Sequence, residues 1–265
     1  MTDPISSPAN QRIKGLVRLR NRRERDRTGR FLVEGYRELR RAVDAGVDLL
    51  ELYVCPDFFL GGNEDALVHD AASAGTEVVP VAAEPFAKAA YRDRPEGLLG
   101  VARQFPTGLD RLDPPEPPLL LVTEAIEKPG NLGTMLRTAD AAGVDAVIVS
   151  DPTTDPFNPN VVRASLGTLF TVPLGVASSE ETIAWLRSRG IASFATTPEA
   201  DLPHWSANFR GASAVVVGSE QYGLSEAWMS GADHRVLIPM PGDVDSLNAA
   251  MAAGIVLFEA VRQRS

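Results

Sequence analysis

The sequence lacks the residues that structural metal and disulfide sites usually need. One of its 265 residues is cysteine, Cys55, so no internal disulfide can form. The three histidines, His69, His204 and His234, give no pair at metal-ligand spacing, so we expect no metal site. No stretch approaches the roughly 20 apolar residues that cross a bilayer, and the opening MTDPISSPANQ has no apolar signal core. We therefore expect a cytoplasmic protein with neither a membrane nor a metal partner.

Two common phosphate-binding signatures are also missing. In EAIEKPGNLGTMLRTADAAG, residues 124–143, Gly130 and Gly133 are separated by two residues, and no third glycine completes a dinucleotide fingerprint. The Gly-Lys-Ser/Thr of a P-loop is absent from this stretch as well. These absences disfavour a nucleotide-dependent oxidoreductase on a Rossmann sheet.

Charge is unevenly distributed along the chain. The formal net charge is −9, but residues 12–41 hold 12 Lys or Arg against four acids and carry +8, which leaves −17 on the remainder. Such a segment can be a merely solvated helix, but phosphate binding requires positive charge, and the strength of the bias favours an RNA-facing surface. The arginines that we predict to contact RNA are Arg18, Arg22, Arg23, Arg25 and Arg27.

Short apolar runs alternate with amphipathic ones, which predicts an α/β fold. The stretch FPTGLDRLDPPEPP, residues 105–118, has five prolines and no periodicity. We therefore predict an N-terminal α/β RNA-binding domain at 1–104, a linker at 105–117 and a second domain at 118–265. Strands of the second domain are continuous apolar runs, which is typical of a parallel sheet covered by helices on both faces.

Local signals mark several helix ends. Gly46, Gly75 and Gly143 are placed to end helices, while Ser178 and Glu181 have the spacing of a capping box.

Polar residues stand in three loops that follow strands of the second domain, where ligands of parallel sheets gather. In the first loop Asn131 begins a helix over 132–142, and Arg137 falls off its apolar stripe. In the second, VVVGSEQYGLS, Gly218 allows close backbone approach, and Glu220 either serves a site or caps the helix that begins near Ser225.

The third loop leads into the last helix, which we expect to begin at Ser246 as its N-cap, with Asn248 two residues later. Two polar side chains beside a loop opening suggest a site. We expect two residues of the apolar stripe on this helix, Met251 and Phe258, to be core rather than cofactor contacts. The stripe consists of Leu247, Met251, Gly254, Phe258 and Val261.

Three motifs carry a family resemblance: N-x-G-x-x-x-R-T-A at 131–139, G-S-E-x-x-G at 218–223 and I-P-M-x-G-x-x-x-S-L-N-x-A at 238–250. Together they resemble the motifs of the SpoU/TrmH-type RNA ribose methyltransferases of the SPOUT class. NPNVVRASLGTLFTVP, residues 158–173, also resembles that family, so the match spans about 118–264. The N-terminal segment is more loosely similar to the small α/β RNA-binding domain that many members carry.

The resemblance implies a parallel-sheet methyltransferase domain with a C-terminal trefoil knot, an exception to the rule that chains are unknotted. It also implies a homodimer that binds S-adenosyl-L-methionine and methylates a ribose 2′-OH. The residues that the match assigns to catalysis are Asn131, Arg137, Glu220, Ser246 and Asn248. Cofactor contacts are expected at Gly218, Ile238, Leu247 and, less directly, Thr196.

The substrate and the role of the arginine stay open at this stage. The arginine-rich start favours large ribosomal RNA over tRNA; the alternatives are a tRNA ribose methyltransferase and a non-catalytic ribosome-associated RNA-binding protein. Because the pKa of arginine exceeds about 12, Arg137 either accepts the ribose proton with help from an RNA phosphate or Glu220, or orients the ribose and stabilises the oxyanion.

Overall fold

A computed structural model of the chain describes residues 3–265. By its internal contacts the chain divides into two units. The first is the chain up to Phe105 together with Phe157–Thr171, and the second is Pro106–Pro156 together with Val172–Ser265.

The first unit is built on a mixed four-stranded sheet. Its elements before residue 105 are α1 (Gln11–Arg18), α2 (Arg22–Thr28), β1 (Arg30–Glu34), α3 (Tyr36–Asp44), β2 (Leu49–Val54), α4 (Glu64–Ser73), β3 (Glu77–Pro80), α5 (Ala83–Ala89) and β4 (Leu98–Arg103). The strand order is β1-β4-β2-β3, with β4 antiparallel to β1 and β2, and β2 parallel to β3. This confirms an α/β arrangement for the N-terminal part.

The rest of the chain alternates strands and helices as its apolar runs predict. Its elements are β5 (Leu119–Glu124), α6 (Pro129–Ala141), β6 (Ala146–Ser150), α7 (Pro159–Ala164), β7 (Leu174–Ala177), α8 (Ser179–Ser188), β8 (Ala192–Thr196), β9 (Leu202–Pro203), β10 (Ser213–Val217), α9 (Glu226–Gly231), β11 (His234–Leu237) and α10 (Ala249–Arg264). Of these, α7 belongs to the first unit. The two-residue strand β9 carries no periodic signal and was not predicted.

The second unit contains a seven-stranded sheet in the order β7-β6-β5-β10-β8-β11-β9, and every neighbouring pair is parallel. All six residues of β5 and all five of β10 are buried, as expected for strands with helices on both faces. One face packs against α8 and α9 through Ile183, Leu186 and Trp228. On the other face, α10 packs against β10 and α6. The predicted parallel sheet is therefore confirmed.

The predicted helix-end signals are confirmed. Gly46, Gly75 and Gly143 each follow a helix with positive φ, at +67°, +96° and +64°, a conformation that glycine adopts without steric cost. The Ser178 side chain accepts from the Glu181 N–H, and the Glu181 carboxylate accepts from the Ser178 N–H, which completes the capping box.

The proline-rich stretch predicted as a linker packs against the second unit. Leu112 is buried in the core of that unit, and the Thr107 carbonyl accepts a 2.7 Å hydrogen bond from the Val176 N–H of β7. Proline content interrupts periodicity without preventing individual side chains from packing. This stretch therefore behaves as part of the sheet edge.

Residues 157–171 complete the first unit. Phe157 packs between Phe31 and Phe105, with ring centroids 4.9 and 5.0 Å apart. Asn160 donates a 2.8 Å hydrogen bond to the Tyr91 hydroxyl, and Leu169 is buried. A segment with the family-like sequence NPNVVRASLGTLF thus supplies core to the N-terminal unit.

The basic segment forms two helices rather than one, and this placement corrects one predicted RNA contact. Arg25 is 1% exposed, and its Nη1 donates to the carbonyls of Leu19 and Arg20 at 3.0 and 2.8 Å. It therefore satisfies the C-terminal carbonyls of α1, where a cation is favourable. Sequence spacing alone could not separate it from its neighbours, Arg18, Arg22, Arg23 and Arg27, which are all exposed.

We predict that Arg25→Met destabilises the first unit by about 2 kcal/mol, because it leaves buried carbonyls without a donor. Urea denaturation followed by circular dichroism measures the change. Arg23→Met is the control, since Arg23 is exposed on the same helix and should change stability by less than about 0.5 kcal/mol. Equal stabilities of the two variants would show that Arg25 has no structural role.

Candidate active site

The three polar loops meet at one edge of the parallel sheet. They follow β5, β10 and β11, whose carboxyl ends lie on the same side because all three strands run in the same direction. Glu220 joins them: its Oε1 accepts from Asn131 Nδ2 and from Asn248 Nδ2, both at 2.6 Å. Three predicted site residues, far apart in the sequence, are therefore in direct contact.

Further hydrogen bonds fix this cluster. Asn131 Oδ1 accepts from Asn248 Nδ2 at 3.2 Å, and the Ala249 N–H donates to Glu220 Oε1 at 3.4 Å. The other carboxylate oxygen, Oε2, accepts from Lys128 Nζ at 2.5 Å. The N-termini of α6 and α10 are thereby linked through one carboxylate.

These donors keep Glu220 ionised. The hydrogen bond from Lys128, the Ala249 N–H and the Asn131 amide lower the pKa of the Glu220 carboxyl below its usual value, and they outweigh the opposing effect of its partial burial. A carboxylate accepts hydrogen bonds only, which matches the donors that surround it. Glu220 is therefore suited to hold other groups in place and is a weak proton acceptor.

Asn248 caps the last helix. Its Oδ1 accepts from the Ala250 and Met251 N–H groups at 3.0 and 3.3 Å, and α10 begins at Ala249. The prediction that the helix begins at Ser246 as its N-cap is wrong, because both residues are good caps and the sequence alone did not choose between them. Ser246 lies instead on the wall of a cleft.

Glu220 does not cap the helix that follows its loop, the alternative that the sequence left open. That helix, α9, has Ser225 at its N-cap position without a side-chain cap, and the Ser225 N–H donates to Glu124 at 2.8 Å. The Glu220 carboxylate points to Asn131 and Asn248 instead.

Gly218 is required by the chain itself. A Cβ at this position would lie 2.3 Å from the Gly223 carbonyl oxygen, because the loop folds back through a pair of hydrogen bonds between Ser219 and Gly223, each 3.0 Å long. This close backbone contact requires glycine at position 218 whether or not a ligand binds.

Two clefts flank Glu220. The larger has a volume of about 320 Å³ and is lined by the ends of β8 and β10 and by the second and third motif loops. Its lining residues include Thr196, Gly218, Ile238, Ser246 and Leu247. The smaller, about 240 Å³, is lined by Ile126, Glu127, Lys128, Asn131, Glu220, Gln221 and Ala249. All the predicted cofactor residues thus line one cleft, while Asn131 lines the other.

The cleft walls contain one unsatisfied buried group. Thr196 Oγ1, at the end of β8, is inaccessible and has no hydrogen-bond partner among residues 3–265. Buried hydroxyl groups normally have partners, so this atom is an exception in a residue that lines the larger cleft.

Arg137 lies apart from this cluster. It is exposed on α6, six residues beyond Asn131 and so about 240° around the helix axis. Within the described part of the chain it forms no hydrogen bond or ion pair, so the structure does not bring it to Glu220.

The prediction that Met251 and Phe258 belong to the core is wrong. Met251 and Phe258 are 60% and 50% exposed, and Ile255 beside them is 38% exposed. The core is formed by a neighbouring face of α10: Ala249, Ala250, Ala253, Val256, Leu257 and Ala260. Both faces are apolar, so helical periodicity did not identify which one is buried.

The segments that contain the motifs and the basic helices match known protein families. The family model described as the SpoU rRNA Methylase family matches residues 118–258, and a model of the MRM3-like substrate binding domain matches residues 10–100. The chain belongs to the SpoU rRNA methylase family. Its predicted fold class, a parallel-sheet methyltransferase domain after a small α/β domain, is confirmed.

Relatives of this SpoU family member are similar over nearly its whole length. It is 30% identical to the 23S rRNA (guanosine(2553)-2′-O)-methyltransferase RlmP of Bacillus subtilis, over 96% of this chain and 97% of that protein. It is 33% identical to the 23S rRNA (uridine(2479)-2′-O)-methyltransferase of Streptomyces viridochromogenes, over 93% and 87%. A crystal structure of an AdoMet-bound rRNA methyltransferase from Sinorhizobium meliloti aligns with a TM-score of 0.90 at 31% identity, over 98% and 97%.

Two negative findings concern the described residues 3–265. No group of three or more His, Cys, Asp or Glu side chains in that range is arranged to hold a metal ion. No helix in the same range is both long and apolar enough to cross a membrane.

We predict that Gly218→Ala opens the loop between β10 and α9, because its Cβ cannot fit beside the Gly223 carbonyl. Hydrogen exchange at the Ser219 and Gly223 amides should become at least about tenfold faster. Gly242→Ala is the control, since no atom lies within 4 Å of its added Cβ and its φ is not positive. Unchanged exchange in Gly218→Ala would mean that the loop tolerates a side chain there.

Proposed function

We propose that this protein is an S-adenosyl-L-methionine-dependent methyltransferase that methylates a ribose 2′-OH in structured RNA, with large-subunit ribosomal RNA as the favoured substrate. The observation that carries the proposal is the contact of Glu220 with both Asn131 and Asn248. It joins all three family motifs at one point between two clefts.

The larger cleft fits the cofactor. Its volume is in the range of small-molecule sites, Thr196 stands on its wall at the end of β8, and Ile238 and Leu247 supply apolar walls. When bound, S-adenosylmethionine supplies an electrophilic methyl group on a sulfonium. Ser246 and Gly218 line the same wall and would complete the contacts.

The smaller cleft fits the target ribose. Asn131 stands at its base, with its amide orientation fixed by Glu220 and Asn248. A ribose there would lie beside the wall that the two clefts share, formed by Glu220, Gln221 and Ala249. Methyl transfer needs the nucleophilic oxygen in line with the bond that breaks and in contact with the methyl carbon. The ribose oxygen must therefore reach past this shared wall, which would fix its direction of approach.

Arg137 is the group we assign to the ribose oxygen. Its charge favours stabilising an oxyanion or orienting the hydroxyl over accepting a proton. Glu220 is a poor helper in proton removal because Lys128 and the surrounding amides lower its pKa. The structure thus supports the orienting role and leaves an RNA phosphate as the remaining candidate for the proton.

A second copy of the chain would bring Arg137 to the site. Met251, Ile255 and Phe258 form an exposed apolar stripe on α10, which packs against the helix that carries Arg137. Exposed apolar stripes of this kind mark protein interfaces. We therefore infer a homodimer in which these helices meet and each Arg137 serves the partner's clefts.

The substrate follows from charge and from relatives. Arg18, Arg22, Arg23 and Arg27 remain exposed on α1 and α2, so they are available for phosphate contacts even though three of them, Arg18, Arg22 and Arg27, also pair with acids. The relatives from Bacillus subtilis and Streptomyces viridochromogenes are named for a guanosine and a uridine of 23S rRNA. Ribosomal RNA agrees with the cytoplasmic location predicted from the sequence, and the trefoil knot stays a prediction.

We predict that the protein transfers labelled methyl groups from S-adenosylmethionine to ribosomal RNA and that Arg137→Ala reduces turnover at least about a hundredfold. Reverse-transcription stops at low dNTP then map the modified ribose. Cofactor affinity, measured by calorimetry, should stay within about threefold, because Arg137 does not line the larger cleft. Full turnover in Arg137→Ala removes the arginine from the mechanism, and absence of cofactor binding by the wild type favours a non-catalytic RNA-binding protein.

We predict that two inactive variants, Arg137→Ala and Glu220→Ala, restore activity when they are co-expressed with different tags. In a mixed dimer, one site combines the intact Glu220 of one subunit with the intact Arg137 of the other and the second site has neither, so about half of the sites in purified mixed dimers should be active. Methylation by purified mixed dimers measures this.

The control for complementation is Glu220→Ala co-expressed with Asn248→Ala. Both residues lie in the same cluster of one subunit, so no site in that mixed dimer is intact. Arg137 acting within its own subunit would leave both mixed dimers equally inactive.

A further inference from the structure

Lys128 lines the smaller cleft but belongs to none of the three motifs. It stands at the N-cap position of α6, directly before Pro129, and its side chain is 70% exposed. Its ammonium group reaches across to Glu220 in the second motif loop, 92 residues further along the chain. A lysine with this exposure has no packing reason to hold one orientation, so the ion pair accounts for its placement.

The two oxygens of Glu220 have different partners. Oε1 accepts from Asn131, Asn248 and the Ala249 N–H, whereas Oε2 accepts from Lys128. Without the ammonium group, none of the hydrogen bonds found for residues 3–265 would hold Oε2. The carboxylate could then rotate, which moves Oε1 away from the two amides, or take up a proton on Oε2, which weakens Oε1 as their acceptor.

The amides cannot adapt to such a change. Asn248 uses Oδ1 to cap α10, so its Nδ2 must point toward Glu220 and Asn131. Asn131 in turn uses Oδ1 for Asn248 and Nδ2 for Glu220. A proton on the freed Oε2 leaves Oε1 as a neutral carbonyl oxygen, which accepts hydrogen bonds from these two amides more weakly than an ionised carboxylate does.

Lys128 is also the single cation among the residues that line the two clefts. The other charged groups there are acids, namely Glu127 in the smaller cleft and Glu199 and Asp245 in the larger, and the phenol of Tyr222 also lines the larger cleft. Removal of Lys128 therefore leaves Glu220 among carboxylates and amides. Like charges favour protonation of a carboxyl group, so the remaining environment would not replace the lysine.

We propose that Lys128 is a positioning residue for methyl transfer, which acts by holding the Glu220 carboxylate ionised and aimed at Asn131 and Asn248. This role rests on the proposed function, because Lys128 would maintain the arrangement of the cleft that is proposed to bind the ribose. If Lys128 has this role, its removal should make the rate of methyl transfer fall more steeply as the pH becomes acidic. The lysine hydrogen bond is the largest contribution that lowers the pKa of Glu220, so its loss raises that pKa and the protonated fraction grows as pH falls.

We predict that Lys128→Met makes kcat more sensitive to acid while Lys128→Arg restores the wild-type profile. With RNA and cofactor saturating, the ratio of kcat at about pH 8 to kcat at about pH 5 should rise at least about threefold in Lys128→Met. The control is Arg210→Met, which removes one exposed positive charge before β10, at the opposite edge of the sheet, and should leave the ratio unchanged. A higher KM with an unchanged pH profile would show that Lys128 only attracts RNA, and would overturn the proposal.

A second measurement needs no turnover. In protein labelled with ¹³C at glutamate carboxyl groups, the Glu220 resonance is assigned by its loss in Glu220→Gln, and its titration should move to higher pH in Lys128→Met but not in Arg210→Met. Coincident titrations in all three proteins would overturn the proposal. If the wild type methylates no RNA, the proposed function fails, while this titration still decides whether Lys128 controls Glu220.

Discussion

The ionised carboxylate of Glu220 holds the site together. The loop after β10 contributes one side chain that receives donors from the start of α6 and the start of α10. Each of those helices is fixed elsewhere by packing against the sheet and against the other helix, so the carboxylate needs only to align their first turns. Both clefts share this wall, and their relative position therefore depends on one ionised group.

The sequence allowed the main features of the site to be predicted because parallel strands impose them. Continuous apolar runs identified β5, β10 and β11, and polar residues directly after such runs must meet at one edge of the sheet. Asn131, Glu220 and Asn248 follow that rule, and family resemblance added the chemistry. The glycines that end α3, α4 and α6 and the capping box of α8 were equally predictable, since a glycine at positive φ or a capping box depends on neighbouring residues alone.

What could not be predicted depends on contacts that leave no periodic signal. Arg25 and Arg23 look alike in the sequence, yet only the turn between α1 and α2 makes Arg25 a donor to buried carbonyls. Lys128 has no motif, because its partner is supplied by a loop 92 residues away. Ser246 and Asn248 are both suitable N-cap residues. The structure uses Asn248, whose side chain also donates to Glu220.

The last helix shows why periodicity failed and what its failure implies. A helix that is apolar on one face is buried there, but α10 has small residues toward the sheet and larger ones, Met251, Ile255 and Phe258, toward solvent. The proposed second copy of the chain would cover that second face. The proposed second copy would also explain the position of Arg137. This arginine carries a charge suited to the ribose oxygen, but it lines neither cleft of the single chain. One exposed stripe and one unpaired arginine thus point to the same arrangement.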